Sequence, residues 1–110
     1  MTKTDLFQLK IDTDGKHKFY VNTLDKRGNY KKVHFGGIGY KDYTIYYKEK
    51  GKDYADKMKH SYLSRHSKNG ENWNNPTTAG YYSRWVLWNL PNVEESWKWV
   101  KQDLKNKGYI

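Results

Sequence analysis

Few side chains in this 110-residue chain are of the types that do covalent chemistry, and their spacing is the first test of what they could do. His34, His60, His66 and Asn69 are the residue types of a His-Asn-His nuclease. Such an enzyme sets a hairpin histidine and a helix histidine around a divalent metal that polarises a phosphate. The spacing does not match: His60 and His66, six apart, fall on different faces of a helix, and neither belongs to a His-Glu-x-x-His pair. The histidines are therefore expected to hydrogen-bond locally or to add pH-dependent charge. No metal, cofactor or catalytic residue is expected, and a nuclease stands as the third reading. Cysteine is absent, which removes thiolate catalysis and thiolate-ligated metal sites. Glu94-Glu95, the adjacent acidic pair, sits where a first helical turn would use it against the helix dipole rather than in a glycosidase cleft. Ser61, Ser64, Ser67, Ser83 and Ser96 lie in no Gly-x-Ser-x-Gly elbow.

Two further motifs touch on phosphate and base recognition. Gly36, Gly37 and Gly39 could cradle a phosphate, but that use needs a helix directly after the glycines. Tyr40-Lys-Asp-Tyr-Thr44 reads as extended, so a turn or bulge is expected. Arg27 to Phe35 partly echoes the RNA-recognition-motif signature without its βαββαβ setting, although exposed aromatics on such a basic hairpin can still stack bases.

Charge carries more information. Twenty-one Lys and Arg against twelve Asp and Glu give a net charge of +9. Residues 16–53 hold ten basic and four acidic side chains, and residues 54–70 hold four and one. An anionic partner is expected: nucleic acid, an acidic protein surface or a lipid headgroup. The cations and histidine placed on the partner-binding surface are Lys31, Lys32, Lys41, Lys57, Lys59, Arg65, His66, Lys68 and Arg84. Tyr30, Tyr40, Tyr43 and Trp73 are the aromatics expected to stack on the partner or line an interface. No stretch approaches the roughly 18 apolar residues of a membrane span. The first ten residues lack the apolar run of a signal peptide, which suggests use inside a cell or in a particle assembled there.

The elements that must position these groups form one α+β domain over residues 1–110, mainly β over 5–47 and mainly α over 53–107. Leu9 and Ile11, Phe19 and Val21, and Val33 and Phe35 each alternate with polar residues, which predicts an antiparallel meander of about three strands. Asp14-Gly15 and Asp25 to Gly28 mark its turns. Residues 42–47 are expected as a short edge strand or extended arm, and Lys48 to Lys52 as a charged connector. Ala55, Met58, Tyr62 and Leu63 share one helical face over 53–66. Thr77 or Thr78 can cap a largely buried helix over about 79–89. Asn92 with Glu95 has the layout of a capping box for a last helix over 93–107, with Gly108 as its C-terminal cap. About three C-terminal helices thus pack against the sheet.

The segment Tyr62 to Pro91 admits two uses. Trp73, Trp85 and Trp88 can fill a small core with Arg65 or Arg84 stacked on a ring. Alternatively, Arg65, His66, Lys68 and Arg84 can meet a phosphate or carboxylate. The runs Asp42-Tyr-Thr-Ile45, Tyr62-Leu-Ser-Arg-His66, Glu71-Asn-Trp73, Thr78-Ala-Gly80 and Ser83-Arg-Trp-Val-Leu-Trp-Asn89, followed by Pro91 and Glu94-Glu-Ser96, resemble a family of small, basic, Trp-rich proteins. These are encoded by nucleocytoplasmic large DNA viruses of eukaryotes. The likeness spans roughly residues 30–105, with departures at Leu90, where members favour Lys, and at Tyr81-Tyr82, where they carry Phe or Trp. The family has no assigned chemistry, so no catalytic residue carries over. The resemblance implies a viral origin and a non-enzymatic virion component, either a minor capsid or a core-associated protein. Its partners would be capsid or core proteins of the particle, and it would be found in the virion and, during assembly, in the host cytoplasm or viral factory. The alternative is a module that binds DNA or RNA through phosphates, without base specificity, in viral replication, transcription or genome condensation.

Overall fold

The computed structural model describes residues 5–110. Strands β1 (Lys10–Ile11), β2 (His17–Leu24) and β3 (Tyr30–Gly37) form an antiparallel sheet in the order β1-β2-β3. Register pairs Ile11 with Phe19, Phe19 with Phe35 and Val21 with Val33. The alternation of apolar side chains thus buries Val21, Thr23, Val33 and Phe35 on one face. Tyr20, Lys32 and His34 share the opposite face, with the Lys32 ammonium 4.2 Å from the centre of the Tyr20 ring.

Four helices follow: α1 (Tyr43–Lys50), α2 (Lys52–Lys68), α3 (Ala79–Tyr82) and α4 (Val93–Asn106). The α+β class and the three-stranded meander hold, with one helix more than the sequence suggests. The extra helix is α1, where an edge strand or arm was expected. Its β-branched and aromatic residues are overruled by Asp42, whose Oδ1 accepts from the Ile45 amide (3.2 Å) and from the Thr44 hydroxyl (2.5 Å). Tyr43, Tyr46 and Tyr47 then fall at helical spacing, and the Tyr43 and Tyr47 rings meet edge to face. Gly51, at φ +89°, replaces the expected connector and joins α1 directly to α2.

Asn92 caps α4 by accepting from the Glu95 amide at 2.8 Å. At the other end Gly108 donates to the Lys105 carbonyl and Tyr109 to the Leu104 carbonyl, the paired bonds of a Schellman ending. Val100 and Leu104 of α4 are fully buried, with Trp97 and Val93 packed beside them. Thr78 caps α3, which runs on into a π-helical segment, Ser83–Leu87, closed by the Trp88 amide on the Ser83 carbonyl. This wider turn buries Val86, Leu87 and Trp88, with Leu87 against Gly36 of β3 and Trp88 against Tyr62 of α2, while Trp85 stacks on Trp99 at 4.4 Å.

Two carboxylates tie the acid stability of this arrangement to their partners. Asp56 accepts from Lys52 and Tyr43, and Asp25 from the Asn29 and Arg27 amides; these bonds hold both carboxyls below their usual range. Because the folded values lie below the unfolded value near 3.8, the stabilisation is complete above that value and is lost as pH falls through the folded values. The thermal midpoint is therefore expected to be level from pH 7 to about 5 and to fall below about 4. In Asp56→Asn the acid-side fall should be shallower; an unchanged profile would remove Asp56 from the account.

Candidate anion-binding cleft

A cleft of about 300 Å³ opens where the end of β3 meets the last turns of α2 and the start of α3. Its walls are Gly36 and Gly37 with the Tyr40–Asp42 loop, then Tyr62, Arg65 and His66 of α2, then Glu71, Gly80 and Trp88. Glycine is required here. Gly36 has φ +75°, and a Cβ on it would stand 2.8 Å from Leu87 Cδ1. Of the turn or bulge expected here, residues 38–39 form a turn, with the Tyr40 amide donating to the Gly37 carbonyl at 3.3 Å, and Gly36 adds a close approach of strand to helix. Gly80 admits the Glu71 carboxylate, whose Oε1 lies 3.3 Å from where a Cβ would be.

One wall is an aromatic stack. Tyr62 lies parallel to Trp88 at 4.5 Å and 6°, and the His66 ring covers its other face at 4.1 Å. His66 Nδ1 contacts Glu71 Oε2, which orients the imidazole. Lys18 Nζ bridges the mouth, donating to Asp42 Oδ2 (2.8 Å) and to the Tyr40 carbonyl (2.6 Å), and Lys41 pairs with Glu49 at 2.5 Å. Among the described residues Ser83, also on the wall, makes no hydrogen bond to His66.

Two donors on the cleft wall bear on anion binding. Arg65 is exposed and, among the described residues, pairs with no acid. The Tyr62 side chain is buried, 4% exposed, and its hydroxyl makes no hydrogen bond among the described residues. Burial raises its pKa, so the hydroxyl keeps its proton and stays a donor. A guanidinium fork beside an idle phenol donor suits an oxyanion such as phosphate or carboxylate.

The cleft gathers Lys41, Arg65, His66 and Tyr40 from the residues expected to bind, and Tyr40 is 77% exposed at its mouth. Lys31, Lys32, Lys57 and Lys68 are exposed elsewhere, as is Tyr30. Three of the expected binding residues make internal contacts. Lys59 donates to the Asn89 carbonyl at 2.6 Å and covers the Tyr43 ring at 3.8 Å, with burial lowering its pKa. Arg84 donates to the Trp88 carbonyl at 2.6 Å and lies 4.1 Å over Trp85, with the Trp73 ring 5.7 Å away. Tyr43 is buried and donates to Asp56, its pKa pushed up to about 12 by burial and then by that bond. Lys59 and Tyr43 join α1 and α2 to each other and to the Asn89 turn, and Arg84 stacks on a ring, the use this segment anticipates. Trp73 is half-buried, and its carbonyl accepts from Trp85 Nε1 at 2.7 Å.

Sequence patterns missed Tyr62 and Glu71 as site residues. Tyr62 belongs to the apolar stripe of α2, and such stripes read as core. A second missed group is Asp12, Asp14, His17 and His34, whose donor atoms lie within 4.8 Å of one another and could hold a metal. The spacing Asp12-x-Asp-x-x-His17 was its available signal. The expectation of locally bonded histidines holds for His17, which bonds Asp14 three residues away; His34 instead reaches Asp12, 22 residues distant, and His66 contacts Glu71.

Comparison with known proteins returns no matching family model, no matching curated protein and no matching solved structure. Function must then be argued from the site.

Proposed function

We propose that the protein is a non-enzymatic binding module for a phosphate-bearing partner, with single-stranded nucleic acid as the partner its surface suits best. The observation that carries the reading is the Tyr62 hydroxyl, buried without a partner among the described residues on the wall of a cleft that also holds Arg65. A buried donor left unmade costs about 1–3 kcal/mol, and a bound oxyanion would recover that cost. Tyr40 at the mouth is free to stack on a base, and exposed Lys31, Lys32, Lys57 and Lys68 are available to phosphates further along the strand. In the setting of a virus particle, proposed on the sequence resemblance, the module would be a minor capsid or core-associated protein that touches the genome. Purified particles lacking the protein would remove that setting and leave the binding test standing.

The test is fluorescence anisotropy of a labelled single-stranded oligonucleotide across a salt series. Its logarithmic slope should correspond to about −0.7 per neutralised phosphate. Arg65→Glu is expected to weaken binding at least tenfold and flatten the slope. Tyr62→Phe is expected to leave thermal stability unchanged or slightly raised, because an idle hydroxyl is removed, while weakening binding several-fold. Wild-type affinity in both variants would overturn the cleft as the site.

A further inference from the structure

At one end of the sheet, Asp12, Asp14, His17 and His34 are brought together from the residue after β1, the following turn, the start of β2 and the middle of β3. Their arrangement divides the labour of each carboxylate. Asp12 Oδ1 accepts from the Asp14 amide at 3.0 Å, and Asp14 Oδ1 accepts from the Lys16 and His17 amides at 2.8 Å each. Both Oδ2 atoms are left for imidazoles. Asp12 Oδ2 meets His34 Nδ1 at 2.5 Å; Asp14 Oδ2 meets His17 Nδ1 at 2.7 Å and His34 Nδ1 at 3.5 Å. All four residues present one donor within 4.8 Å of the rest. The Asp12 side chain is only 3% exposed, whereas those of His17 and His34 are about one-third exposed, so a small ion has a way in.

We propose that Asp12, Asp14, His17 and His34 form a site for one divalent transition-metal ion, zinc in the first instance. Four ligands at about 2.1 Å from a tetrahedral zinc stand roughly 3.4 Å apart, within reach of the spacings here through small side-chain shifts. Two imidazole nitrogens and two carboxylate oxygens, with no sulfur, suit zinc or manganese better than calcium, which takes oxygen alone. The amide bonds to each Oδ1 act as an outer shell that keeps Oδ2 aimed inward. On binding, each Nδ1 exchanges its hydrogen bond to a carboxylate for the metal, and a neutral ring then carries its proton on Nε2. Four protein ligands leave no open position, so the ion serves as a staple between the β1–β2 turn and β3. His17 pairs in register with Gly37, so the staple also braces the strand end that forms the cleft wall.

Isothermal titration of metal-free wild-type protein with zinc ion is expected to give one saturable site, and one equivalent of zinc should raise the thermal midpoint. Cobalt(II) added in its place should give the visible spectrum of a four-coordinate site. His17→Ala/His34→Ala, checked for folding by circular dichroism, should lose both responses. Should that variant fail to fold, side-chain nitrogen NMR of the wild type decides instead. Zinc must then shift Nδ1 of His17 and His34 and leave His60 and His66 in place. Absence of saturable binding, binding retained in the folded double variant, or shifts confined to His60 and His66 would each overturn the proposal.

Discussion

Tyr82→Ala is expected to cost about 3–5 kcal/mol of unfolding free energy, the range for deleting a large buried ring. Tyr82 is fully buried where α3 crosses the sheet, 5.5 Å from the Phe35 ring and 5.0 Å from Tyr81 in an edge-on contact. Its hydroxyl donates to the Pro76 carbonyl at 2.7 Å, which ties the loop before α3 to the core. Truncation opens a cavity among Phe35, Tyr81 and Trp97 and leaves a buried carbonyl without its donor. A domain of this size has about 5–15 kcal/mol in total, so the variant should lie near its unfolding threshold at 37 °C. Urea denaturation followed by tryptophan fluorescence measures the loss. Tyr82→Phe keeps the ring and should cost about 1–2 kcal/mol, isolating the hydrogen bond. A loss below about 1 kcal/mol in Tyr82→Ala would mean that this ring is not at the centre of the core.

Asp42→Ala should follow closely. The Asp42 side chain is 4% exposed and serves three partners at once: the Ile45 amide, the Thr44 hydroxyl and the Lys18 ammonium. Losing a helix cap costs about 0.5–2 kcal/mol, and stranding one member of a buried ion pair costs about 3–5 kcal/mol. Lys18 is 20% exposed and can turn partly to water, so about 2–4 kcal/mol is expected in all. Asp42→Asn keeps the capping oxygen and should recover part of the loss. A double-mutant cycle with Lys18→Met should give a combined cost below the sum of the single ones, since the stranded charge is then gone. Hydrogen exchange should show lost protection confined to α1, and protection retained there would refute the cap's role.

The fate of residues 42–47 shows where local reading ends. Tyr-Thr-Ile-Tyr-Tyr favours a strand by propensity, and Asp42 favours a helix start only if its carboxylate is held in place. Lys18, 24 positions away, does the holding. The helical spacing of Tyr43, Tyr46 and Tyr47 was present in the chain but competed with an equally regular β signal. Where a single local signal dominated, the elements could be read directly. The alternation in β2 and β3, the turn at Asp14-Gly15, the apolar stripes of α2 and α4, and the caps Asn92 and Gly108 all depend on neighbours within a few residues.

The proposed binding surface divides along the same line. Its basic charge, the aromatic core and the exposure of Lys31, Lys32, Lys57 and Lys68 follow from composition and periodicity. Which cations are spent internally does not, because Lys59 finds the Asn89 carbonyl 30 residues away and Arg84 meets rings from separate segments. The cleft joins residues 36–42 to 62–71, and the four-donor cluster joins Asp12 to His34, 22 residues apart. Periodicity and capping report interactions between near neighbours, whose geometry the backbone sets locally. Contacts between distant segments depend on how sheet and helices pack, so the sequence alone determined the sheet, most helices and the charge. The tertiary structure decided α1, the cleft with its idle Tyr62 hydroxyl, and the meeting of two histidines with two aspartates.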